Sequence, residues 1–430
     1  MNIGQDTIAV SVFLVAYALI ISEKIHRTVV ALAGAVLVIM LGVITQEQAI
    51  HHIDFNTLGL LIGMMVIVAI TAETGLFRFL AIWAAKAVNG NPLKLMIALA
   101  VITAVASAFL DNVTTVLLTV PVTLSITKQL HVKPAPYLIS QIIAANIGGT
   151  ATLIGDPPNI MIGSAVKELS FLAFANNLAA ISGLILLVNI GILALIYRKQ
   201  LTTSPELSEQ IMSLEPGKQI KNVKLLKISL SVLALTIILF FLHQQLHLES
   251  ATVAVFGATL LIILAKKNSD QALEHIFHKV EWVALLFFVG LFMLVGGLVE
   301  TGVISLMAQQ AFALTAGNPV TTAMLILWLS AVASAFLDNI PFVATMIPMI
   351  KEMGAMGVTN LEPLWWSLAL GACLGGNGTL IGASANVIVA GLAAQEGTPI
   401  SFIQFMKVGF PLTMLSVLIA SAYVYFRYLI

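Results

Sequence analysis

An all-α membrane protein made of two inverted-topology repeats, each with five transmembrane helices, a re-entrant helical hairpin and a broken helix, is the fold class this sequence predicts. Three observations predict it. Of the 430 residues, 59% are hydrophobic and 9% charged, with a mean hydropathy of +1.03, which excludes an ordinary soluble domain and calls for many membrane spans. The block at residues 146–159, NIGGTATLIGDPPN, interrupts an apolar segment and returns 227 positions later, where Gly375, Thr379, Gly382 and Asn386 match Gly148, Thr152, Gly155 and Asn159. Each half holds five crossings, an odd number, so the second copy enters the membrane upside down relative to the first.

In chain order, residues 7–22 and 29–44 read as spans joined by the charged link Glu23-Lys24-Ile25-His26-Arg27. Residues 56–72 form a third span that ends at Glu73-Thr74-Gly75. Arg78 and Lys86 on the apolar stretch 76–88 suit a helix lying along the interface, and Asn89-Gly90-Asn91-Pro92 breaks it. Residues 94–128 are apolar at both ends and carry SAFLDNVTT, residues 107–115, in the middle, the pattern of a re-entrant hairpin whose tip stops halfway across. Residues 137–164 hold the first break: Gly148, Gly149 and Gly155 weaken a helix, while Pro157 and Pro158 would crowd the carbonyls of Leu153 and Ile154. Unwound backbone at membrane depth persists only where protein buries it or a wet cavity receives it. Residues 171–197 complete a first repeat, 1–197.

Residues 198–227 are the one long polar, basic segment and read as a cytoplasmic linker before a second repeat, 228–430. Its spans fall at 228–242, 251–265 and 283–299, the last running into Glu300-Thr301-Gly302. Asn318-Pro319 and SAFLDN at 334–339 repeat Asn91-Pro92 and residues 107–112 at the same offset. With the linker inside, all basic residues but Lys167, Lys351 and Arg427 lie on the cytoplasmic side, and both termini face outward. No basic residue precedes Lys24, which argues against a cleaved leader peptide. The expected location is a bacterial cell membrane.

The 20 basic and 20 acidic residues cancel, so the chain carries no nucleic-acid signature. The single cysteine, Cys373, rules out an intrachain disulfide. His51 and His52 have no metal-ligand partners at useful spacing, and no cofactor or metal is expected.

The two hairpin tips and two breaks are expected to meet at the middle of the membrane. A carboxylate there is by default a candidate for proton or cation handling, which singles out Asp111, Asp156 and Asp338. Asp111 and Asp338 fit equally as N-caps of the second hairpin helices. The counterpart of Asp156 is Ala383, so the repeat does not require an acid there, and Asp156 is the first choice for the coupling residue. It could ligate Na+ beside freed carbonyls or carry a proton; the plain alternative is a turn residue before two prolines.

Candidate substrate ligands are Asn112, Thr114, Thr115, Asn146, Gly148, Gly149, Thr150, Thr152 and Asn159 in the first half. Asn339, Gly375, Gly376, Asn377, Thr379, Ser384 and Asn386 join them from the second. The polar ones suit contacts between packed helices just as well. No Lys or Arg falls in the four central motifs, which favours a small neutral or weakly charged solute, or a cation. Cys373 reads as a packing residue rather than a thiophilic ligand, and Glu73 and Glu300 as solvated or capping groups.

SAFLDNVTT at residues 107–115 and IGGTATLIGDPPN at residues 147–159 resemble the signatures of the P-protein and ArsB-like branch of the ion transporter superfamily. The resemblance covers nearly the whole chain. It implies inverted repeats with re-entrant hairpins, a scaffold part that often forms a homodimer, and a mobile part that carries solute by an elevator-like movement. It also implies a choice among arsenite or antimonite export, Na+/H+ exchange and Na+-coupled carriage of citrate or dicarboxylates. Dicarboxylate carriers place Ser-Asn-Thr at both tips, whereas here the tips read Asp111-Asn112-Val113-Thr114-Thr115 and Asp338-Asn339-Ile340-Pro341-Phe342.

The leading expectation is therefore a secondary active transporter for proton-coupled export of a small inorganic solute of the arsenite type, with Asp156 carrying the proton. A Na+/H+ antiporter using Asp111, Asp156 and Asp338 is the alternative, followed by a Na+-coupled anion carrier. The 198–227 segment is the candidate dock for a cytoplasmic ATPase subunit. An intramembrane aspartyl protease does not fit, since Asp111 follows Leu110 and Asp156 follows Leu153-Ile154-Gly155 rather than a Tyr or a Gly-x-Gly triplet.

Overall fold

The computed structural model describes residues 4–430 except 23, 205, 207, 208, 210, 211 and 268, so Glu23 and part of the linker lie outside the described residues. The described chain is helical, and eight helices are long and apolar enough to cross a membrane. They are Gln5–Ser22, Phe55–Ala72, Pro92–Phe109, Phe171–Tyr197, Val223–Leu242, Trp282–Glu300, Pro319–Phe336 and Phe402–Leu429.

Two of the expected spans form helices shorter than an upright crossing needs. Arg27–Met40 has 14 residues and Ser250–Leu264 has 15, which at 1.5 Å per residue gives roughly 21 and 22 Å against a hydrocarbon core of about 30 Å. Arg27 accordingly heads a helix instead of sitting in a loop, and its side chain is only 29% exposed.

Each hairpin turns on two residues. Pro92–Phe109 ends at Leu110 and Asn112–Gln129 starts after Asp111, both linking residues being extended. Leu337 and Asp338 do the same between Pro319–Phe336 and Asn339–Ala355. Both aspartates cap the helix that follows: Asp111 Oδ1 accepts from the Thr114 N–H at 2.8 Å, and Asp338 Oδ1 from the Ile340 N–H at 3.1 Å. The first arms have 18 residues, about 27 Å, which is longer than an upright arm needs to bring a tip halfway across.

The broken helices are Ala135–Thr150 with Pro157–Ala165, and Glu362–Gly375 with Ser384–Gln395. Contrary to expectation, regular helix runs through Gly148 and Gly149, and the break opens only after Thr150. Pro157 and Pro158 sit in the first turn of the second piece, where a missing N–H costs no hydrogen bond, so they crowd no carbonyl. The glycines serve close packing. A Cβ on Gly148 would stand 2.2 Å from the Ala104 carbonyl oxygen, and one on Gly375 would stand 2.5 Å from that of Ala331.

Elements of the two halves exchange partners reciprocally. Arg27–Met40 packs on Trp282–Glu300 while Ser250–Leu264 packs on Phe55–Ala72; Pro157–Ala165 packs on Asn339–Ala355 while Ser384–Gln395 packs on Asn112–Gln129. If i meets j′ and j meets i′, the halves are related as the two sides of an isologous contact are. Individual hydrogen bonds repeat too. Ser107 donates to the Ala145 carbonyl at 2.7 Å and Ser334 to that of Ala372 at 2.6 Å, each pair offset by 227. The expected interfacial helix, Leu76–Ala87, packs on the second arm of the first hairpin, and Lys86 donates to the Leu214 carbonyl in the linker at 2.9 Å.

Candidate functional site

The breaks satisfy their own backbone. Asn159 Nδ2 donates to the carbonyls of Gly149, Thr150 and Thr152 at 3.4, 3.2 and 2.9 Å, and Asn386 Nδ2 donates to those of Gly376 and Thr379 at 2.7 and 2.9 Å. Thr152 and Thr379 bond the Ala108 and Ala335 carbonyls at the ends of the first hairpin arms. The carbonyls of Gly149, Thr150, Thr152, Gly376 and Thr379 are thus taken by the chain's own side-chain amides, as buried peptide groups require.

Between the breaks runs a chain of buried carboxamides. Asn112 Nδ2 donates to Asn146 Oδ1 at 3.1 Å, and Asn146 Nδ2 donates to both Asn377 Oδ1 and Asn386 Oδ1 at 2.9 Å. Thr150 donates to the Asn146 carbonyl at 2.8 Å. Cys373, buried in Glu362–Gly375, donates to Asn159 Oδ1 at 3.5 Å and packs as expected of a lone thiol.

Beside this network lies a small cavity of about 50 Å³. Asp111, Asp156 and Glu281 line it with Arg27, Asn112, Asn339 and Ser384, and the rest of the wall includes Leu61, Met65, Phe287 and Phe288. Asp156 is 1% exposed. Its Oδ1 accepts from Asn339 Nδ2 at 3.4 Å, its Oδ2 makes no geometric hydrogen bond among the described residues, and the Cys373 thiol lies beside the carboxyl. Thr115 Oγ1 is likewise buried without a partner, whereas the Thr114 hydroxyl bonds Asp111 Oδ2. Among the described residues, no three of these acids converge at metal-ligand distance.

Asp338 lies on the other side of Arg27. The guanidinium pairs with Asp338 Oδ2, donates to Ser384 Oγ at 2.8 Å, and stands 5.0 Å from the centre of the Phe287 ring; Ser384 Oγ donates to Asp338 Oδ2 at 2.9 Å.

Of the sequence-predicted residues, the structure brings Asp111, Asp156, Asn112, Asn339 and Ser384 to the cavity wall. Asn146, Asn159, Asn377, Asn386, Thr150, Thr152 and Thr379 are committed to the backbone or to one another, and Gly148, Gly149, Gly375 and Gly376 to close packing. A Cβ on Gly149 would meet the Gly155 carbonyl oxygen at 2.5 Å, and one on Gly376 would meet Ala383 Cβ at 3.1 Å.

Sequence reasoning missed Arg27 and Glu281. A signal for Glu281 was present: it stands 227 residues after Asp54, and both acids occupy the N-cap position of the third span of their half. Arg27 carries no motif.

Glu73 holds ion pairs and Glu300 holds hydrogen bonds at the ends of the same two spans. Glu73 bonds Lys279 and Lys267, each at 2.9 Å, and Glu300 bonds Gln48 at 3.0 Å and His52 at 2.9 Å. Burial alone would push the Glu73 carboxyl up, but the lysine hydrogen bonds and charges outweigh it and hold the group below the ordinary glutamate value.

Comparisons with known proteins agree with this architecture. The model of the family described as "Citrate transporter" (CitMHS) matches residues 17–371. A transporter of Mycobacterium bovis is 42% identical over 99% of both chains, and the 46 kDa membrane protein of Mycobacterium leprae is 41% identical over 99% of this chain and 100% of that one. The human P protein is 36% identical over 97% of this chain and 59% of its own length. Among solved structures, the YdaH transporter of Alcanivorax borkumensis superposes with a TM-score of 0.61 at 14% identity, covering 98% of each chain. MtrF of Neisseria gonorrhoeae superposes at 0.59 and 11%, covering 99% of this chain and 95% of that one. At such identity these two speak for the fold alone. The chain is an integral multi-pass membrane protein, and it belongs to the CitMHS, or citrate transporter, family of the ion transporter superfamily.

Proposed function

We propose that this secondary transporter exchanges a small hard cation such as Na+ for protons, with Asp111, Asp156 and Glu281 as the exchanging groups. The acidic cavity is the observation that carries this reading. Three carboxylates line it, and the one guanidinium that reaches it is already paired with Asp338 on its far side. Asp156 is buried with one oxygen unbonded, which is costly for a carboxylate at membrane depth and is relieved by uptake of a proton or a metal cation.

The size of the cavity agrees. About 50 Å³ accommodates one water-sized guest, which suits a cation stripped of most of its water and not an organic acid. Export of an arsenite-type hydroxide, the leading expectation from sequence, requires free hydrogen-bonding groups. Most of the amides and hydroxyls nominated for it are occupied by backbone carbonyls or by each other. Carriage of a small organic anion is the second reading, favoured by the family's description and by Arg27. In the membrane, the two halves would be inverted repeats with re-entrant hairpins, the linker cytoplasmic and both termini outside.

Reconstituted vesicles with a pH-sensitive dye inside provide the test. An imposed Na+ gradient should drive proton movement in the opposite direction, in buffer free of arsenite and citrate. Proton movement driven only by citrate or arsenite gradients would replace this reading with one of the other two.

A further inference from the structure

Arg27 stands between two chambers. On one side is the acidic cavity of about 50 Å³; on the other is a vestibule of about 290 Å³ with Tyr17, His26, Phe336 and Asp338 on its walls. Among the described residues, only Arg27, Ser384 and Ile388 border both. The guanidinium ties four elements together. It belongs to Arg27–Met40, rests against the Phe287 ring of Trp282–Glu300, and binds Asp338 at the second hairpin tip and Ser384 at the start of Ser384–Gln395. The first hairpin has no such arrangement. Its tip carboxylate, Asp111, is held by Thr114 and faces the cavity, and among the described residues no cationic side chain pairs with it.

We propose that Arg27 is a charged gate: by holding Asp338 and Ser384 its guanidinium closes the acidic cavity off from the vestibule, and it must swing off Asp338 for the transported cation to pass. This rests on the cation–proton reading above and adds to it the residue that enforces coupling. A fixed positive charge at the border shared by the two chambers repels a cation that arrives before the pair has opened, and the two anchors hold it in line. Removing the charge should open a leak and remove a competitor for the carboxylates at once. Keeping the charge on a lysine should preserve both functions in weakened form.

The experiment measures Na+ uptake and proton counterflow in parallel in vesicles containing wild type, Arg27→Gln, Arg27→Lys and Ser384→Ala. Arg27→Gln should lower the apparent KM for Na+ by roughly tenfold, within the range of ordinary coupling between sites, and should pass Na+ without matching proton counterflow. Arg27→Lys should keep the two fluxes matched. Ser384→Ala, which leaves every charge in place, should shift in the same direction as Arg27→Gln but less, and it carries the test if Arg27→Gln does not fold. A lower maximal rate with unchanged KM and unchanged coupling in both Arg27→Gln and Ser384→Ala would overturn the gate while leaving the exchange reading intact. Absence of Na+-dependent proton flux in the wild type would overturn both.

Discussion

Asn189 and Ser416 are each other's counterparts at the 227-residue offset, and they touch: Asn189 Nδ2 donates to Ser416 Oγ at 3.0 Å. A residue can meet its own repeat partner only on the axis that relates the two halves, so this bond marks where Phe171–Tyr197 and Phe402–Leu429 cross that axis. Asn189 also donates to the Ile185 carbonyl and Ser416 to that of Leu412, which fixes both side chains along their helices. Ser416→Ala should therefore destabilise the protein by about 0.6–1.7 kcal/mol, the range of buried hydrogen bonds between membrane helices. Unfolding in mixed detergent micelles measures it. An unchanged midpoint would mean that the bond does not join the halves.

The glycines divide into two groups with opposite expectations. A Cβ on Gly148 has a carbonyl oxygen at 2.2 Å and nowhere to go, whereas one on Gly183 or Gly191 meets nothing within 4 Å. Gly148→Ala should cost about 1–3 kcal/mol or prevent folding, as overpacking against backbone does. Gly183→Ala, inside a helix and with open space beside it, should be neutral or stabilising by up to about 1 kcal/mol. Thermal unfolding of the two variants in parallel checks the contrast.

Much of this arrangement was legible in the sequence because the repeat is carried by residues with strong local meaning. Asp111 and Asp338 announce helix starts, Asn91-Pro92 and Asn318-Pro319 announce helix entries, and Pro157-Pro158 forces a break somewhere upstream. The position of that break was not legible, since Gly148 and Gly149 weaken a helix in isolation but here let it approach Ala104 closely. Nor was the division of labour among the asparagines. A carboxamide serves a ligand or a stray carbonyl equally well, and only the fold reveals that Asn159 and Asn386 spend their N–H groups on the breaks. Arg27 was hidden by its neighbourhood, a charged link that reads as a loop until a 14-residue helix draws its head inward.

The pair of Glu73 with Lys279 makes a pH-dependent contribution whose sign follows from the lowered carboxyl. The stabilisation is complete above the ordinary glutamate range, about pH 4.3, and is lost as the pH falls through the lower folded-state value. Glu73→Gln should thus lower stability at pH 7 by on the order of 1 kcal/mol or less, as the group is partly solvated, and the difference from wild type should vanish in acid. Melting curves of both proteins from pH 7 down to pH 3.5 test this. A gap that widens on acidification contradicts the assignment.

Asp156→Asn preserves the shape of the side chain and its contact with Asn339 while removing the charge whose second oxygen makes no geometric hydrogen bond among the described residues. The variant should fold and reach the membrane as wild type does, yet transport should fall and its pH dependence should weaken. An unchanged pH profile in vesicles would remove Asp156 from the mechanism.

Protons released on cation binding give the most direct measurement of the central claim. Purified wild-type protein is titrated with Na+ by calorimetry at one pH in two buffers of different ionisation enthalpy, which yields the number of protons displaced per cation bound. Exchange at the acidic cavity predicts at least one proton released per Na+, and less in Asp156→Asn. Binding heats identical in the two buffers, with Na+ bound, would show that cation and proton do not share these carboxylates and would contradict the mechanism.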